Sequence, residues 1–245
     1  MALRALITMV GFLAAWHLLV WFTQAEPYIL PSPDRVLERW WQDIELISGH
    51  AAVTFVEIVL GLVIGCLLGV LTGLVMARYR LARLWLLPAM VISQALPVFA
   101  IAPVLVLWIG YGMGSKITMA VIIIYFPVTA AFYDGLRRTE PGWLDLAATM
   151  GASKRSEFWV LRIPAALPAL ASGIRVATAI APIGAVIGEW VGSSRGLGFL
   201  MLHSNGRMQT DLMFAALFTL AVFAVLLYTV VDAGLRRLTY WQTES

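Results

Sequence analysis

Residues 53–77 read VTFVEIVLGLVIGCLLGVLTGLVMA, and Glu57 is the one charged residue among them. A helix that crosses a bilayer needs about 20 consecutive, mostly apolar residues. This run exceeds that length, whereas a helix on a soluble core needs apolar residues along one face only. Residues 53–77 therefore predict a transmembrane helix.

The composition of the whole chain also indicates a membrane protein. Of its 245 residues, 61% are hydrophobic and 13% are charged, against about 45–50% and about 25% in a typical soluble domain. So few charged side chains cannot cover a water-soluble enzyme, and so apolar a chain is not intrinsically disordered. The sequence predicts a single transmembrane domain that covers residues 1–245.

Six segments are apolar and long enough to be membrane spans. They are residues 5–23, 53–77, 85–109, 117–133, 167–190 and 212–231. Prolines interrupt the third, fourth and fifth segments, and such prolines are tolerated where neighbouring helices satisfy the freed backbone groups. The expected fold is an all-α membrane protein with six transmembrane helices.

The distribution of Lys and Arg predicts the orientation. With the N-terminus inside, eleven of these basic residues fall in cytoplasmic segments and five in outer segments. This arrangement satisfies the positive-inside rule with both termini in the cytoplasm. Because the basic residues cluster between apolar runs, the net charge of +3 does not indicate nucleic acid as a partner.

Polar residues inside the apolar segments are candidates for lining a translocation path. Glu57 is a carboxylate within a span, and intramembrane carboxylates are costly enough to suggest a function. It also lies close enough to the outer end of its span to reach the membrane interface. Ser93, Gln94 and Pro97 open a kinked polar segment, and such segments commonly line cavities.

Other residues of the spans favour packing over chemistry. Glycine recurs at every fourth position along one helix face, which is typical of close helix–helix contact: Gly61, Gly65, Gly69 and Gly73. Cys66 is the only cysteine, so an internal disulfide is excluded. The three histidines, His17, His50 and His203, lack metal-ligand spacing, and no metal site is expected.

Residues 141–164 form the long polar segment between the fourth and fifth spans, on the cytoplasmic side. Pro141 is placed to start a helix and Gly151 to end it. Ser153 can then cap a second short helix that ends before Pro164. The segment predicts a rigid pair of short helices that another protein can grip.

The spacing of this segment resembles the cytoplasmic signature of permease subunits of bacterial ATP-binding-cassette (ABC) importers. That signature reads E-A-A, three residues, G, nine residues, I-x-L-P. Here Asp145-Leu146-Ala147 precedes Gly151 and Leu161-Arg162-Ile163-Pro164 at the same spacing. The resemblance implies an ATPase-docking role for Asp145, Leu146, Ala147, Gly151, Ala152, Ser153, Leu161, Ile163 and Pro164.

A second resemblance lies near the outer end of the fifth span. Glu189 followed by Gly196-Leu197-Gly198 is similar to the outer-side ending of the family. It adds Glu189 to the candidate path residues.

The family resemblance implies a complete set of partners. The permease would be a homodimer in the bacterial inner membrane, surrounded by lipid, with the path between the two copies. Two separate ATPase subunits would bind ATP and Mg²⁺, and an extracytoplasmic solute-binding protein would deliver the substrate. This chain is then a transport subunit, not an enzyme, and binds no cofactor itself.

The sequence agrees that ATP binds elsewhere, because it contains no G-x-x-x-x-G-K-[ST] phosphate loop. Residues 110–116 are glycine-rich, but Ser115 precedes Lys116 where that motif needs glycine. They predict a turn between spans on the outer side.

The substrate follows from a finer resemblance. Residues 181–190, APIGAVIGEW, resemble permeases for hydroxymethylpyrimidine-type precursors of thiamine. A path for a permanent anion favours fixed cations, yet apart from Arg175 the spans offer mainly Ser93, Gln94, Met and aromatic groups. Sulfonate, taurine and nitrate are the alternatives within the family; an ion-coupled secondary transporter or a membrane-bound enzyme are alternatives of other classes.

Overall fold

The computed structural model describes residues 2–241, and no β-strand occurs among them. The helices are α1 (Ala2–Thr23), α2 (Pro33–Gln42), α3 (Ile44–Arg78), α4 (Arg80–Ala95), α5 (Val98–Ile109), α6 (Met113–Arg137), α7 (Pro141–Thr149), α8 (Lys154–Ser156), α9 (Ile163–Gly192), α10 (Leu197–Gly206) and α11 (Thr210–Leu238). A π-helical turn, Glu157–Arg162, joins α8 to α9. The predicted all-α fold is confirmed.

Within residues 2–241, four helices are long and apolar enough to cross a membrane: α3, α6, the continuous helix Lys154–Gly192 and α11. The pair α4 and α5 meets the same criterion when it is taken as one broken span. The apolar part of α1, Val10–Thr23, is shorter than that criterion. The membrane-spanning character is confirmed, and the count of six spans stays a prediction.

The third predicted span, residues 85–109, is not one kinked helix. It divides into α4 and α5, whose axes differ by 103°, and Leu96 and Pro97 between them are extended, with ψ angles of 123° and 121°. Pro97 is the cause, because a proline disfavours helical geometry in the residue before it and has no N–H to donate. The segment is therefore a broken span or a re-entrant loop.

The sequence predicts that the second cytoplasmic helix ends before Pro164, and this is wrong: the helix continues through it. Lys154–Gly192 is continuous over 39 residues, and the π-helical turn Glu157–Arg162 lies immediately ahead of Ile163 and Pro164. A proline ring crowds the carbonyl four residues earlier, and the wider i→i+5 turn gives that ring room. The second cytoplasmic helix and the fifth span thus form one continuous helix.

The predicted glycine face of α3 packs directly on α6. A Cβ atom at Gly61, Gly65 or Gly69 would lie 2.5–2.9 Å from an α6 side chain, a distance that real Cβ atoms essentially never show, and one at Gly73 would make a tight contact of 3.0 Å. The facing pairs are Gly61 with Ala120, Gly65 with Ile124, Gly69 with Val128 and Gly73 with Phe132. The prediction of close helix packing is confirmed.

Helix α9 approaches the same α6 from another side, again through glycine. A Cβ at Gly184 would lie 2.7 Å from the Ala120 Cα, and one at Gly173 would lie 2.8 Å from the Pro127 carbonyl oxygen. Ala120 is fully buried and contacts the glycine faces of both α3 and α9. Helix α6 is therefore the centre of the fold.

Replacing Gly184 by alanine should lower stability, because the new methyl group meets the α6 backbone at Ala120, which cannot move aside. Overpacking of this kind costs about 1–3 kcal/mol. We expect Gly184→Ala to lower the thermal unfolding temperature of the detergent-solubilised protein.

The matched control for this change is Gly234→Ala in α11, where a Cβ has no atom within 4 Å. Alanine at an open helix position is favoured over glycine by roughly 0.5–1 kcal/mol, so this variant should unfold at the same or a higher temperature. Equal effects of the two substitutions would contradict the close contact between α9 and α6.

Candidate functional sites

The first half of the cytoplasmic signature builds a helix end that needs glycine. Helix α7 stops at a Schellman turn, in which Gly151 N–H donates to the Ala148 carbonyl (3.0 Å) and Ala152 N–H to the Ala147 carbonyl (2.9 Å). Gly151 has a φ angle of +73°, a conformation that glycine adopts without strain. Ala147, Gly151 and Ala152 thus fix the turn between the two short helices.

The second half of the signature leads into the fifth span. The Ser153 side chain caps the next helix, since its Oγ accepts a hydrogen bond from Ser156 N–H (3.2 Å), as predicted. An ion pair between Arg162 and Glu157, with Nε 2.7 Å from Oε1, closes the π-helical turn. Ile163 packs against the buried cluster of Phe132, Leu136 and Ala166, which anchors the element to the core.

The predicted docking residues divide by exposure. Asp145, Leu146, Gly151, Ala152 and Ser153 are exposed, and Ala147, Leu161, Ile163 and Pro164 are half-buried. A groove of about 400 Å³ opens beside the second group; Trp143, Val160 and Trp241 are among its lining residues. The element therefore exposes a carboxylate and apolar side chains on its surface, which suits contact with another protein. The docking role itself stays a prediction.

At the opposite end of the spans, here called the outer end, lies a buried ion pair. Lys116 Nζ donates to Glu57 Oε1 over 2.8 Å, and the two residues are 6% and 0% exposed. The sequence places Lys116 in an outer turn, which is wrong: α6 begins at Met113 and carries Lys116 in its first turn. Because Glu57 of α3 pairs with it, the lysine is drawn into the helix packing.

Glu189 lies beside this pair, and its carboxylate caps α10. Thr54 Oγ1 donates to Glu189 Oε1 over 2.6 Å, while the N–H groups of Gly198 and Phe199 donate to Oε2. The Glu57 carboxyl group neighbours that of Glu189. The first N–H groups of a helix have no partner within it, and here a buried side chain supplies one.

Two further bonds complete the start of α10. Leu197 N–H donates to Thr54 Oγ1 over 2.7 Å, and Gly196 N–H donates to His50 Nδ1 over 2.9 Å. Gly196 has a φ angle of +114°, and a Cβ there would overlap the Glu189 carboxyl group. We call His50, Thr54, Glu57, Lys116 and Glu189 the outer cluster.

The structure does not bring all the predicted path residues together. Glu57 and Glu189 meet in the outer cluster, enclosed within one chain. Ser93, Gln94 and Pro97 lie at the α4–α5 break, where Ser93 Oγ donates to the Met90 carbonyl (2.7 Å). In the part of the chain that the structure describes, no hydrogen bond or ion pair joins the two groups. Their role in a path stays a prediction.

Sequence reasoning missed four partners of the polar residues in and near these sites: His50, Thr54, Lys116 and Asp232. His50 and Thr54 precede Glu57 on the same helix, and Lys116 lies one residue outside the predicted fourth span. Arg175, a cation within a span, pairs with Asp232 (Nε to Oδ1, 2.6 Å), which also accepts from Arg236. Each charged residue within a span indicates that a partner exists, because charges in a membrane are usually paired. The sequence alone does not identify which residue that partner is.

Comparisons with known proteins agree on one family. Residues 65–240 match the family described as "Binding-protein-dependent transport system inner membrane component". The chain is 52% identical over 235 residues to a probable ABC transporter permease protein of Haemophilus influenzae, covering 96% of each chain.

Two relatives with named substrates are also similar. The formylaminopyrimidine transport permease ThiX of Halalkalibacterium halodurans is 35% identical over 90% of this chain and 88% of its own. The taurine transport permease TauC of Escherichia coli is 30% identical over 98% and 92%.

The fold is similar to that of a solved chain in the MetNI methionine ABC transporter, in an inward-facing conformation. The TM-score is 0.61 and the sequence identity 20%, over 81% of this chain and 97% of that one.

The ion pair of the outer cluster gives a testable expectation. Lys116→Met leaves the buried Glu57 carboxylate without its cation, and breaking one side of a buried pair costs about 3–5 kcal/mol. We expect a clear loss of thermal stability in detergent, and partial recovery in the double variant Glu57→Gln, Lys116→Met, which removes both charges.

The control is Lys154→Met, because Lys154 is exposed and its loss should leave the unfolding temperature nearly unchanged. A Lys116→Met protein as stable as this control would contradict the ion pair.

Proposed function

The chain belongs to the family of binding-protein-dependent transport system inner membrane components, and we propose that it carries a hydroxymethylpyrimidine-type precursor of thiamine. As a member, it is the permease subunit of an ABC importer in the inner membrane. It is a transport component and not an enzyme. This assignment replaces the ion-coupled secondary transporter and the membrane-bound enzyme as classes.

In the proposed assembly, two copies of this chain form the path and two ATPase subunits supply the energy by binding ATP and Mg²⁺. A solute-binding protein delivers the substrate at the outer end. The site that would receive each ATPase is the exposed part of the signature, with Asp145, Leu146 and the rigid turn at Gly151.

The observation that carries the substrate proposal is the similarity to ThiX, at 35% identity over 90% of this chain. Formylaminopyrimidine, named for that relative, is a flat heterocycle that forms hydrogen bonds. A solute of this class suits the resemblance of residues 181–190 to such permeases, and the Ser93, Gln94 and aromatic side chains that the mainly apolar spans contain.

The charges of the spans support a neutral solute. A path for a permanent anion favours fixed cations. Lys116, in the first turn of α6, and Arg175, within the fifth span, are both bonded to carboxylates: Lys116 to Glu57 and Arg175 to Asp232. Neither is held ready for a sulfonate or nitrate.

Taurine is the second candidate, because TauC is 30% identical over 98% of this chain. Taurine carries a sulfonate anion together with an ammonium group, so it differs from the neutral pyrimidine in presenting an anionic group to the path. Sulfonate and nitrate belong with it in this respect.

Uptake by the reconstituted importer separates these candidates. The permease, its ATPase and its binding protein are placed in proteoliposomes with ATP inside, and labelled hydroxymethylpyrimidine is offered outside. We expect ATP-dependent uptake that unlabelled formylaminopyrimidine inhibits and that taurine, at the same concentration, does not.

The control is the same preparation without the binding protein, which should show no uptake above background. Uptake of taurine in place of the pyrimidine would contradict the substrate proposal and leave the importer assignment intact.

Docking can be tested with two glycines of the cytoplasmic element. Gly142 and Gly151 both have open space where a Cβ would be, but only Gly151 has a positive φ angle. Alanine at Gly151 therefore strains the Schellman turn by roughly 1–2 kcal/mol, while alanine at Gly142 in α7 is tolerated. We expect Gly151→Ala to lower substrate-stimulated ATP hydrolysis several-fold and Gly142→Ala to leave it unchanged.

Both variants should still insert into the membrane, since neither residue lies in a span, and membrane abundance is measured alongside hydrolysis. Wild-type stimulation of ATP hydrolysis in Gly151→Ala would show that the turn is not part of the docking surface.

A further inference from the structure

One helix connects the docking element to the outer cluster. Lys154–Gly192 is continuous over 39 residues, about 58 Å at 1.5 Å per residue. It begins at Lys154, capped by Ser153 beside the Gly151 turn, and carries Glu189 three residues before its outer end. A single helix therefore links the docking element to the Glu189 carboxylate.

At the outer end, that carboxylate is bonded to α10 and α3. Glu189 accepts from Thr54 of α3 and from the N–H groups of Gly198 and Phe199 of α10. The α10 side chains Leu197 and Leu200 are buried against the core. Helix α10 thus lies over the outer ends of α3 and α9, and Glu189 is the group shared by all three helices.

The two halves of the outer cluster differ in strength. The Glu57–Lys116 bond joins two opposite charges at 2.8 Å, both buried, and fixes α3 to α6. The bonds of Glu189 described above come from a hydroxyl and from neutral backbone N–H groups. A buried ion pair costs more to break than any single one of these hydrogen bonds. Because α3, α6 and α9 are packed through their glycine faces, they move together, and α10, which these weaker bonds hold at its start, is the element that can separate from them.

We propose that Glu189 is a positioning residue of the transport cycle: it locks α10 over the outer end, and movement of Lys154–Gly192 releases the lock. The inference rests on the proposed docking of an ATPase at the cytoplasmic end. The ATPase displaces the docking element, and the same displacement then separates α10 from the outer ends of the spans.

Ser204 provides a reporter of the lock. It lies on α10, is 1% exposed, and its Oγ has no hydrogen-bond partner among the described residues, so a thiol can replace the hydroxyl with little disturbance. A cysteine there reacts with a hydrophilic maleimide only when α10 lifts. Asn205, the next residue, is exposed, and Asn205→Cys is the matched control.

The experiment uses the assembled importer in lipid nanodiscs, with the permease in a Cys66→Ala background so that the native thiol is absent. Labelling of Ser204→Cys is measured with Glu189 present, with Glu189→Ala and with Glu189→Gln. We expect labelling at least about tenfold faster with Glu189→Ala, because the acceptor of the α10 N–H groups is lost. Glu189→Gln keeps an acceptor for the α10 N–H groups and should label close to the wild-type rate.

Trapping the complex with ATP and vanadate tests the release. With Glu189 present, Ser204→Cys labelling should rise on trapping; with Glu189→Ala it should be fast already and change little. Asn205→Cys should label at one rate throughout. Basal ATP hydrolysis, which a purely structural role would leave alone, should rise with Glu189→Ala and return to the wild-type level with Glu189→Gln.

Three results would overturn the proposal: equal Ser204→Cys labelling with and without Glu189, Glu189→Gln behaving like Glu189→Ala, or no response of the wild type to trapping. If Glu189→Ala fails to fold, Thr54→Val, which removes the hydroxyl bonded to Glu189 and to Leu197 N–H, must give the same increase. Association of the ATPase with the wild-type permease is measured first in the same nanodiscs. Its absence would contradict the docking proposal, whereas association with unchanged labelling contradicts the lock alone.

Discussion

The backbone of α6 at Ala120 touches two other helices at once, and the architecture depends on that contact. Gly61 of α3 and Gly184 of α9 each leave out the side chain that would keep the helices apart. In a membrane there is little hydrophobic force between helices, so close backbone approach supplies dispersion contacts that larger residues prevent. The three long helices α3, α6 and α9 are fixed in this way, and the shorter elements attach to them.

The same close approach makes the outer cluster possible. Lys116 lies one turn of α6 before Ala120, and Gly188 of α9 lets its backbone pass within contact of that lysine. At this helix separation the Lys116 ammonium group of α6 reaches Glu57 of α3, and the Glu189 carboxylate of α9 reaches Thr54 of α3. Charges this far from water are tolerated only when paired or fully hydrogen-bonded. Tight packing and buried polar chemistry are thus two results of one helix spacing.

The sequence predicts the features that depend on local pattern. The apolar run at residues 53–77, the glycine face beginning at Gly61 and the turn at Gly151 each follow from periodicity or from a single conformational need. The features it misses depend on distant contacts or on competing local effects. Pro97 breaks a span, whereas Pro164 follows a π-helical turn and lies within a continuous helix. Lys116 joins a span because a carboxylate 59 positions earlier faces it.

The geometry at Gly196 restricts which residues can occupy positions 189 and 196. The space where its side chain would be is filled by the Glu189 carboxyl group, and its backbone has a φ angle of +114°. A side chain at position 196 therefore requires the loss of the acid at position 189 and a rebuilt start of α10. The two positions, seven residues apart, are sterically coupled, so that the effect of a substitution at one depends on the residue at the other.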